Sequence, residues 1–410
     1  MSFTIRLIIL ILFLILVEFY FTKKAAGSIK KLFPKIPKQK IKKITLWGLI
    51  WLNLFPLAMF TVWIYARIAQ TESIRHFDNF FYEYLILYPF WIWILIVIQG
   101  FVLLLPLDII KFILYWSFKK WRDKLRSVHT KIVFVVVIGA AVYVPVRVIF
   151  DLNTVSTRIV EYAKEDLHES LEDFRITLIA DVQADQFTTP SKLQNYIDEV
   201  NATDPDLVLI AGDIVTSTPN YLPTAAEYIG KIKSRYGVYS CVGDHDNWMY
   251  YQEYERSVRE VTEALENINV KMIDNDKVTI DVDSAKIGIT FITYTYVERI
   301  DSVSLDSLTN GTTGYDLRIF LTHQPRKYLI DEAIEKNYDL MFAGHTHGGQ
   351  ITILFPFHNF TPSHIETDFV KGDFWFDDML MVVNRGLGVS LAPVRYNATP
   401  EVTSIVIRGK

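Results

Sequence analysis

The chain has 410 residues, half of them hydrophobic, with 42 Lys plus Arg against 46 Asp plus Glu and a mean hydropathy of +0.20. The length exceeds one small domain, and the charge is divided: residues 1–150 hold 20 basic and 6 acidic side chains, residues 151–410 hold 22 and 40. An acidic C-terminal part repels a polyanion, so no nucleic-acid partner is expected, and a single cysteine, Cys241, excludes an intrachain disulfide.

Four apolar runs, at about residues 5–22, 45–67, 84–107 and 132–150, approach the roughly 20 helical residues that cross a hydrocarbon core. The first reads as a retained anchor rather than a signal peptide, because its basic flank is Arg6 alone and no small-residue cleavage site follows Phe21. Trp and Tyr gather near the ends of the second and third runs, where amphipathic rings meet lipid headgroups. Nine lysines lie between Lys23 and Lys43, and seven basic residues lie between Lys111 and Lys131. By the positive-inside rule both loops are cytoplasmic, so the loop around Glu72, Arg75 and Asp78 and everything after the fourth run face outward. The expectation is a multi-pass membrane protein: residues 1–150 form a four-helix transmembrane region and residues 151–410 an extracytoplasmic domain. Anionic membrane lipids are expected partners of the lysine-rich loops, which also serve simply as topology signals.

Beyond residue 150, apolar strand-like runs recur at 174–180, 206–211, 237–242, 287–294, 317–322, 339–343, 379–384 and 402–408. Helical patterns separate several of them, at 191–201, 224–234 and 254–267, with Pro190 and Pro223 where a first helical turn tolerates proline. The alternation predicts an α/β domain of two packed sheets with outer helices.

Residue types that bind metals stand just beyond these runs. Asp181 follows the first, and Asp213 follows Gly212 after the second. The turn Gly243-Asp244-His245-Asp246 follows the third, and His323 follows 317–322. Ala343-Gly344-His345-Thr346-His347-Gly348-Gly349-Gln350 completes the set. Strand ends fix the backbone while loops aim side chains, which is what a divalent-metal hydrolase site needs. Gly-Asp after a strand is also ordinary turn chemistry, but His345 and His347, alternating in an extended turn closed by glycines, can face one ion. Acids flanking His245 give it a means of holding one tautomer and raising its basicity.

In this order the motifs resemble those of the calcineurin-like metallophosphoesterase superfamily. The family pattern runs Asp-x-His, Gly-Asp, Gly-Asn-His-Asp/Glu, a solitary His and Gly-His-Thr-His. Here it reads Asp181-Val182-Gln183, Gly212-Asp213, Gly243-Asp244-His245-Asp246, His323 and Gly344-His345-Thr346-His347. The Gly-His-Thr-His-Gly-Gly-Gln form, the segment Asn384-Arg385-Gly386-Leu387-Gly388 and Pro400-Glu401 are similar to the membrane-associated bacterial branch. The likeness spans about residues 174–408 and leaves the four apolar runs uncovered.

The resemblance implies a four-layer α/β/β/α sandwich and two divalent metal ions. Asp181, Gln183, Asp213 and His347 would hold one, with Asp213 bridging to a second held by Asp244, His323 and His345. His245 would be the acid that meets the leaving oxygen, steadied by Asp246. Two cations would polarise the phosphoryl oxygens and activate a bridging water for in-line attack. Two positions depart from the pattern. Gln183 replaces an imidazole by a harder amide oxygen, and Asp244 replaces an asparagine by a third carboxylate, so manganese is the expected metal, with magnesium, iron or zinc as alternatives.

Asn247 is a candidate phosphate contact or turn cap, Arg385 an anion-binding arginine or half of a surface salt bridge, and Asp185 a supporting or solvated acid. His358 and His364, in a loop beyond the glycines, read as surface residues more than as ligands, and His76, His129 and His168 have no partner nameable from sequence. The function expected is hydrolysis of a phosphodiester, phosphomonoester or pyrophosphate, lipid-linked or derived from the cell envelope. The alternatives are a cytoplasm-facing lipid-precursor pyrophosphatase and a catalytically inactive receptor or scaffold that binds a phosphorylated ligand.

Overall fold

The computed structural model of the chain describes residues 3–69, 79–311 and 314–410. His76 and the loop with Glu72, Arg75 and Asp78, expected to face outward, lie outside the described residues. The chain divides into two units: Met1–Ile149 with Ile353–Phe360, and Phe150–Thr352 with Thr361–Lys410.

The first unit is built of the helices Phe3–Leu32, Lys38–Leu52, Leu54–Ala69 and Tyr88–Ser117 and most of Arg122–Asn153. Among the described residues two helical stretches, Phe80–Ser117 and Lys119–Asn153, are long and apolar enough to cross a membrane. Lys38–Leu52 and Leu54–Tyr65, bent by 41° at their break, would count together as a third. Helix Phe3–Leu32 covers the first predicted run but is not among these. Close packing and polar ties join the helices. A Cβ on Gly100 would overlap the Phe21 ring, so the glycine lets two helices approach. The Asp108 carboxylate accepts from the Tyr20 hydroxyl at 2.6 Å, lies 2.8 Å from His129 Nε2 and pairs with Lys24. Glu18 accepts from Asn53 at 2.9 Å and from the Trp93 indole at 2.5 Å. Polar groups in an apolar bundle pair with one another because lipid offers them no hydrogen bonds.

Among its described residues the second unit contains twelve strands: β1 Ser156–Lys164, β2 Arg175–Ile179, β3 Leu207–Ile210, β4 Val238–Cys241, β5 Val270–Ile273, β6 Asp276–Val282, β7 Ala285–Ile292, β8 Leu317–Thr322, β9 Leu340–Ala343, β10 Gly372–Phe376, β11 Met379–Val383 and β12 Glu401–Gly409. They form two six-stranded sheets, ordered β1-β12-β2-β3-β4-β5 and β10-β11-β9-β8-β7-β6. The pairs β2·β3, β3·β4, β7·β8 and β8·β9 are parallel. Parallel neighbours leave both faces of a strand covered, which is why β2, β3, β4, β8, β9 and β11 read as continuous apolar runs.

One buried cluster mixes side chains of both sheets, including Ile176, Leu178 and Leu209 with Ile289, Phe291 and Leu321. A second joins the first sheet to helices, where Leu193, Tyr196, Ile197 and Val200 are the buried positions of Pro190–Ala202. Their spacing is one helical face. Thr189 caps that helix by accepting from the Lys192 N–H at 3.4 Å. The helix predicted over 224–234 stops at Ile229, because Gly230 forms its C-cap and donates to the Ala226 carbonyl at 2.9 Å. A third cluster packs Phe320, Met341 and Met381 against Leu305, Leu329 and Ile330 of the helices Ser302–Thr309 and Lys327–Glu335.

Phe291 is fully buried where the two sheets share a core. Phe291→Ala is expected to destabilise the fold by about 3–5 kcal/mol, seen as a lower thermal unfolding midpoint of the solubilised protein.

Candidate metal centre

Asp181, Asp213, Asp244, His323 and His345 follow β2, β3, β4, β8 and β9, so both sheets deliver donors from the C-terminal ends of parallel strands. The turns that aim them are strained. Asp181, Gln183, Asp213, His345 and His347 all have positive φ, from 49° to 70°, a left-handed conformation that costs a side-chain-bearing residue about 1–2 kcal/mol. Strain of this kind persists where the surroundings over-determine it. Here the turns hold one another: Asp181 N–H donates to the Gly212 carbonyl, Gln183 N–H to that of Asp213 and Gly344 N–H to that of His323, each at 3.0 Å. Neighbouring glycines make the approach possible, since a Cβ on Gly243 would overlap Asp213 and one on Gly344 would overlap Ala180.

The donors converge. Ligand atoms of Asp244, His323 and His345 lie within 4.8 Å of one another, and so do those of Asp181, Asp213 and His323. The family pattern implies Asp213 as the bridge; in the structure His323 belongs to both groups. Its Nδ1 lies 2.7 Å from the Ala211 carbonyl, which requires Nδ1–H, so Nε2 is the atom facing Asp244 at 3.3 Å and Asp213 at 3.4 Å. His345 uses the opposite nitrogen: Nδ1 lies 2.9 Å from Asp244 Oδ2, while Nε2 lies 2.9 Å from Glu366 Oε2. His347 Nε2 is 3.5 Å from Asp181 Oδ1. Asp213 Oδ2 accepts from Gln183 Nε2 at 2.7 Å, which leaves Gln183 Oε1 buried and without a partner.

Burial dominates the electrostatics. Asp181, enclosed and near Asp213, has its carboxyl pushed up to about 7. Burial would also raise Asp213 and Asp244, but His323 outweighs it for both, with His245 beside Asp213 and His345 beside Asp244; Asp213 is lowered and Asp244 held well below the usual range. Burial would lower His323, yet the Asp213 and Asp244 carboxylates hold it well above an ordinary imidazole. Protons on imidazoles thus neutralise a buried carboxylate cluster, the charge role a divalent cation fills. His347 is driven well below the ordinary value by burial and then by the Arg395 guanidinium. A set of carboxylates and imidazoles, with the amide of Gln183 against Asp213 and its buried oxygen left without a hydrogen bond, fits divalent metal.

Other predicted residues fall elsewhere. Asp246 does not steady the His245 ring. Its carboxylate accepts from the backbone N–H groups of Asp213, Ile214 and Gly243, each at 2.9 Å, and thereby locks the Asp213 turn. The His245 ring instead meets Ser390 Oγ at 3.3 Å through Nε2, and its Nδ1 is buried without a hydrogen bond. Asn247 Oδ1 accepts from the Thr295 hydroxyl at 2.9 Å. Arg385 Nε lies 3.2 Å from the buried Glu401 carboxylate. Asp185 accepts from the N–H groups of Phe187 and Thr188 at 2.7 and 3.0 Å and shapes its own turn.

Several participants carry no motif. Gln324 Nε2 donates to both oxygens of Asp244, at 2.9 and 2.7 Å, and the Tyr296 N–H donates to Asp244 Oδ1 at 2.7 Å, so the acid that replaces asparagine is fully solvated by the protein. Glu366 meets His345, the Tyr296 hydroxyl and Arg326 Nη2, the last at 3.3 Å. Its carboxyl is lowered to about 2, by the His345 hydrogen bond first. Arg395, fully buried, donates to the carbonyls of Gly388, His347, Arg385 and Ala398 and ties the last loop to the His345–His347 turn.

Mixed sheets that carry carboxylates and imidazoles to one buried point are the arrangement of a metal-dependent hydrolase. The family model described as calcineurin-like phosphoesterase matches residues 174–349, and this part of the chain belongs to that family. A zebrafish protein called transmembrane protein with metallophosphoesterase domain is 31% identical over 255 residues, 61% of this chain and 56% of that protein. An uncharacterized metallophosphoesterase of Campylobacter jejuni is 26% identical over 319 residues, 76% and 78% of the two chains. The crystal structure of a dimetal phosphatase from Danio rerio aligns with a TM-score of 0.33 at 10% identity, over 57% of this chain and 99% of that one, a likeness that carries no argument. The chain thus spans little more than half of the zebrafish relative. The zebrafish protein is named as a transmembrane protein, and two helical stretches among the described residues of this chain are long and apolar enough to cross a membrane.

Two outcomes follow from the geometry. A cation must displace protons from Asp181, near 7, and from His323 and His345, both raised. Adding manganese to metal-free protein at about pH 6 therefore releases protons, and apparent affinity climbs as pH rises through about 7 and keeps climbing until the raised His323 has lost its proton, readable with a pH indicator in weak buffer. Glu366 fixes the His345 tautomer, so Glu366→Ala is expected to weaken manganese binding about 10- to 100-fold, with Glu366→Gln intermediate, in a titration followed by electron paramagnetic resonance.

Proposed function

We propose that the chain is a membrane-anchored phosphoesterase that hydrolyses a phosphodiester, phosphomonoester or pyrophosphate, lipid-linked or derived from the cell envelope. The observation that carries this reading is the convergence of Asp181, Asp213, Asp244, His323 and His345 from the ends of two sheets into one enclosed donor set. In this reading residues 1–150 are the transmembrane region with about four helices and a cytoplasmic lysine-rich face. Residues 151–410 are a four-layer α/β/β/α domain outside the cytoplasm. Support for the orientation comes from the basic loops between the apolar runs, and support for the layering from the three buried clusters of the second unit.

Asp181, Gln183, Asp213 and His347 would hold one divalent ion and Asp244, His323 and His345 the other, with the carboxylate-rich set and the amide of Gln183 favouring manganese. Bound there, the ions supply Lewis acidity toward phosphoryl oxygen and an acidified water. The chain's own residues do the rest. The Ala211 carbonyl and Glu366 hold the two imidazoles with their ligating nitrogens inward. Asp246 keeps the Asp213 turn from relaxing, and Gln324 and Tyr296 hold the orientation of Asp244, which His323 and His345 keep ionised. His245, set by Ser390, is the proton donor to the leaving oxygen, with Nδ1 the ring atom whose hydrogen bond is unfilled. Arg385 and Asn247, engaged by Glu401 and Thr295, support the loops around the site in this reading.

The test is hydrolysis of bis(p-nitrophenyl) phosphate and p-nitrophenyl phosphate by solubilised protein with manganese, magnesium or zinc. Metal-dependent turnover is expected, reduced about 100-fold or more in Asp213→Ala. Silence with every metal, combined with retained binding of a phosphorylated ligand, would instead favour a receptor built on the same fold.

A further inference from the structure

Two large apolar side chains stand open to solvent, each next in sequence to a residue that touches a site histidine, Leu391 after Ser390 and Ile365 before Glu366. Leu391 is fully exposed, at 102%, and its backbone is left-handed, with φ of 62°. A bulky residue in that region is an outlier that persists only when its surroundings impose it. Gln350, the last residue of the Gly-His-Thr-His-Gly-Gly-Gln motif, does the imposing. Its amide nitrogen lies 2.9, 2.9 and 3.1 Å from the carbonyls of Ser390, Ala392 and Val394, and its oxygen accepts the Ser390 N–H at 2.8 Å. The clamped loop turns Ser390 to His245, at 3.3 Å, and leaves Leu391 outside.

On the other side Ile365, 90% exposed, directly precedes Glu366, which lies 2.9 Å from His345 Nε2. Between His245 and His345 runs an aromatic wall. Trp248 and Tyr296 stack with centroids 5.7 Å apart and planes 6° from parallel; Trp248 meets the His245 ring at 5.6 Å and Tyr296 the His345 ring at 5.6 Å. Neither Leu391 nor Ile365 stabilises the fold by burial, since neither is buried. A sugar or nucleoside next to phosphorus would find no hydrogen bond from either, whereas a hydrocarbon would lose its water against both and against the aromatic edges.

We propose that Leu391 and Ile365 determine specificity for a phosphate ester whose hydrocarbon begins within a few bonds of phosphorus, the chemistry of an alkyl, diacylglycerol or prenyl phosphate. The assignment rests on the phosphoesterase reading above and narrows its substrate: the apolar part lies at the mouth of the metal centre, beside the proton donor, and is not set apart from phosphorus by a polar headgroup.

The experiment uses full-length protein with manganese in phosphatidylcholine nanodiscs and two probes, the methyl and decyl esters of p-nitrophenyl phosphate. The quantity is the decyl-to-methyl ratio of kcat/KM, in which partition of the decyl probe into the disc is common to all proteins. Leu391→Asn keeps a residue that tolerates the left-handed backbone, and Ile365→Ser removes the second contact. Each is expected to lower the ratio about fivefold to tenfold, and an unchanged ratio, including proportional loss on both probes, overturns the proposal. Binding of decylphosphonate reads the apolar contacts without turnover: affinity about tenfold weaker in Leu391→Asn supports them, and equal affinity overturns them. Wild-type protein that hydrolyses neither ester, nor decyl phosphate with release of inorganic phosphate, would overturn the phosphoesterase reading alone, leaving decylphosphonate binding to decide the role of Leu391.

Discussion

The second unit is organised around like charges that burial forces together. Asp181, Asp213 and Asp244 are almost wholly enclosed, and carboxylates so close in a medium of low dielectric cannot all ionise without opposite charge among them. In the chain alone that charge comes from protons on His323 and His345, while Asp181 leans toward its neutral form. Divalent cations would supply the same charge with no proton to lose. The enclosed carboxylates therefore make the site dependent on metal and on pH together.

Holding such a cluster requires a frame that does not relax, and the two sheets provide it. Donors arrive from five strands divided between the sheets, so no single hinge can spread them. Left-handed turns at Asp181, Gln183, Asp213, His345 and His347 are tied to one another by backbone hydrogen bonds. Asp246 contributes at one remove from the chemistry: its buried carboxylate takes three backbone N–H groups and fixes the turn that carries Asp213. Arg395 does the equivalent with a cation, gathering four carbonyls from the loops around His347.

The two departures from the family motif have different structural consequences. Asp244 is matched by donors: Gln324 and the Tyr296 N–H meet its extra charge, so a third carboxylate is accommodated without a rearranged site. Gln183 is half satisfied, donating to Asp213 while its oxygen has no protein partner. A buried acceptor left unmatched is destabilising unless something positive or protic meets it, which gives the substituted position a continuing role as an oxygen donor.

Strand legibility followed burial. The eight runs read from the sequence became β2, β3, β4, β7, β8, β9, β11 and β12, all interior to the sheets; the four unread strands, β1, β5, β6 and β10, are the four edges. An interior strand covered on both faces must be apolar throughout, whereas an edge strand such as β1 or β10 alternates buried with exposed positions and blends into loop composition. Donors followed the same logic, because a ligand fixed by the end of a strand sits beside a legible run. Sequence by itself therefore determined the apolar N-terminal part, the α/β alternation and the identity of the carboxylates and imidazoles. Tertiary structure decided the partners: Asp246 against backbone instead of His245, His323 between two donor groups, Arg385 against Glu401, and Glu366, Gln324 and Tyr296 around the site. Most of those pairings join residues tens of positions apart, such as Asp244 with Tyr296 and Gln324, and the packing of the two sheets brings them together.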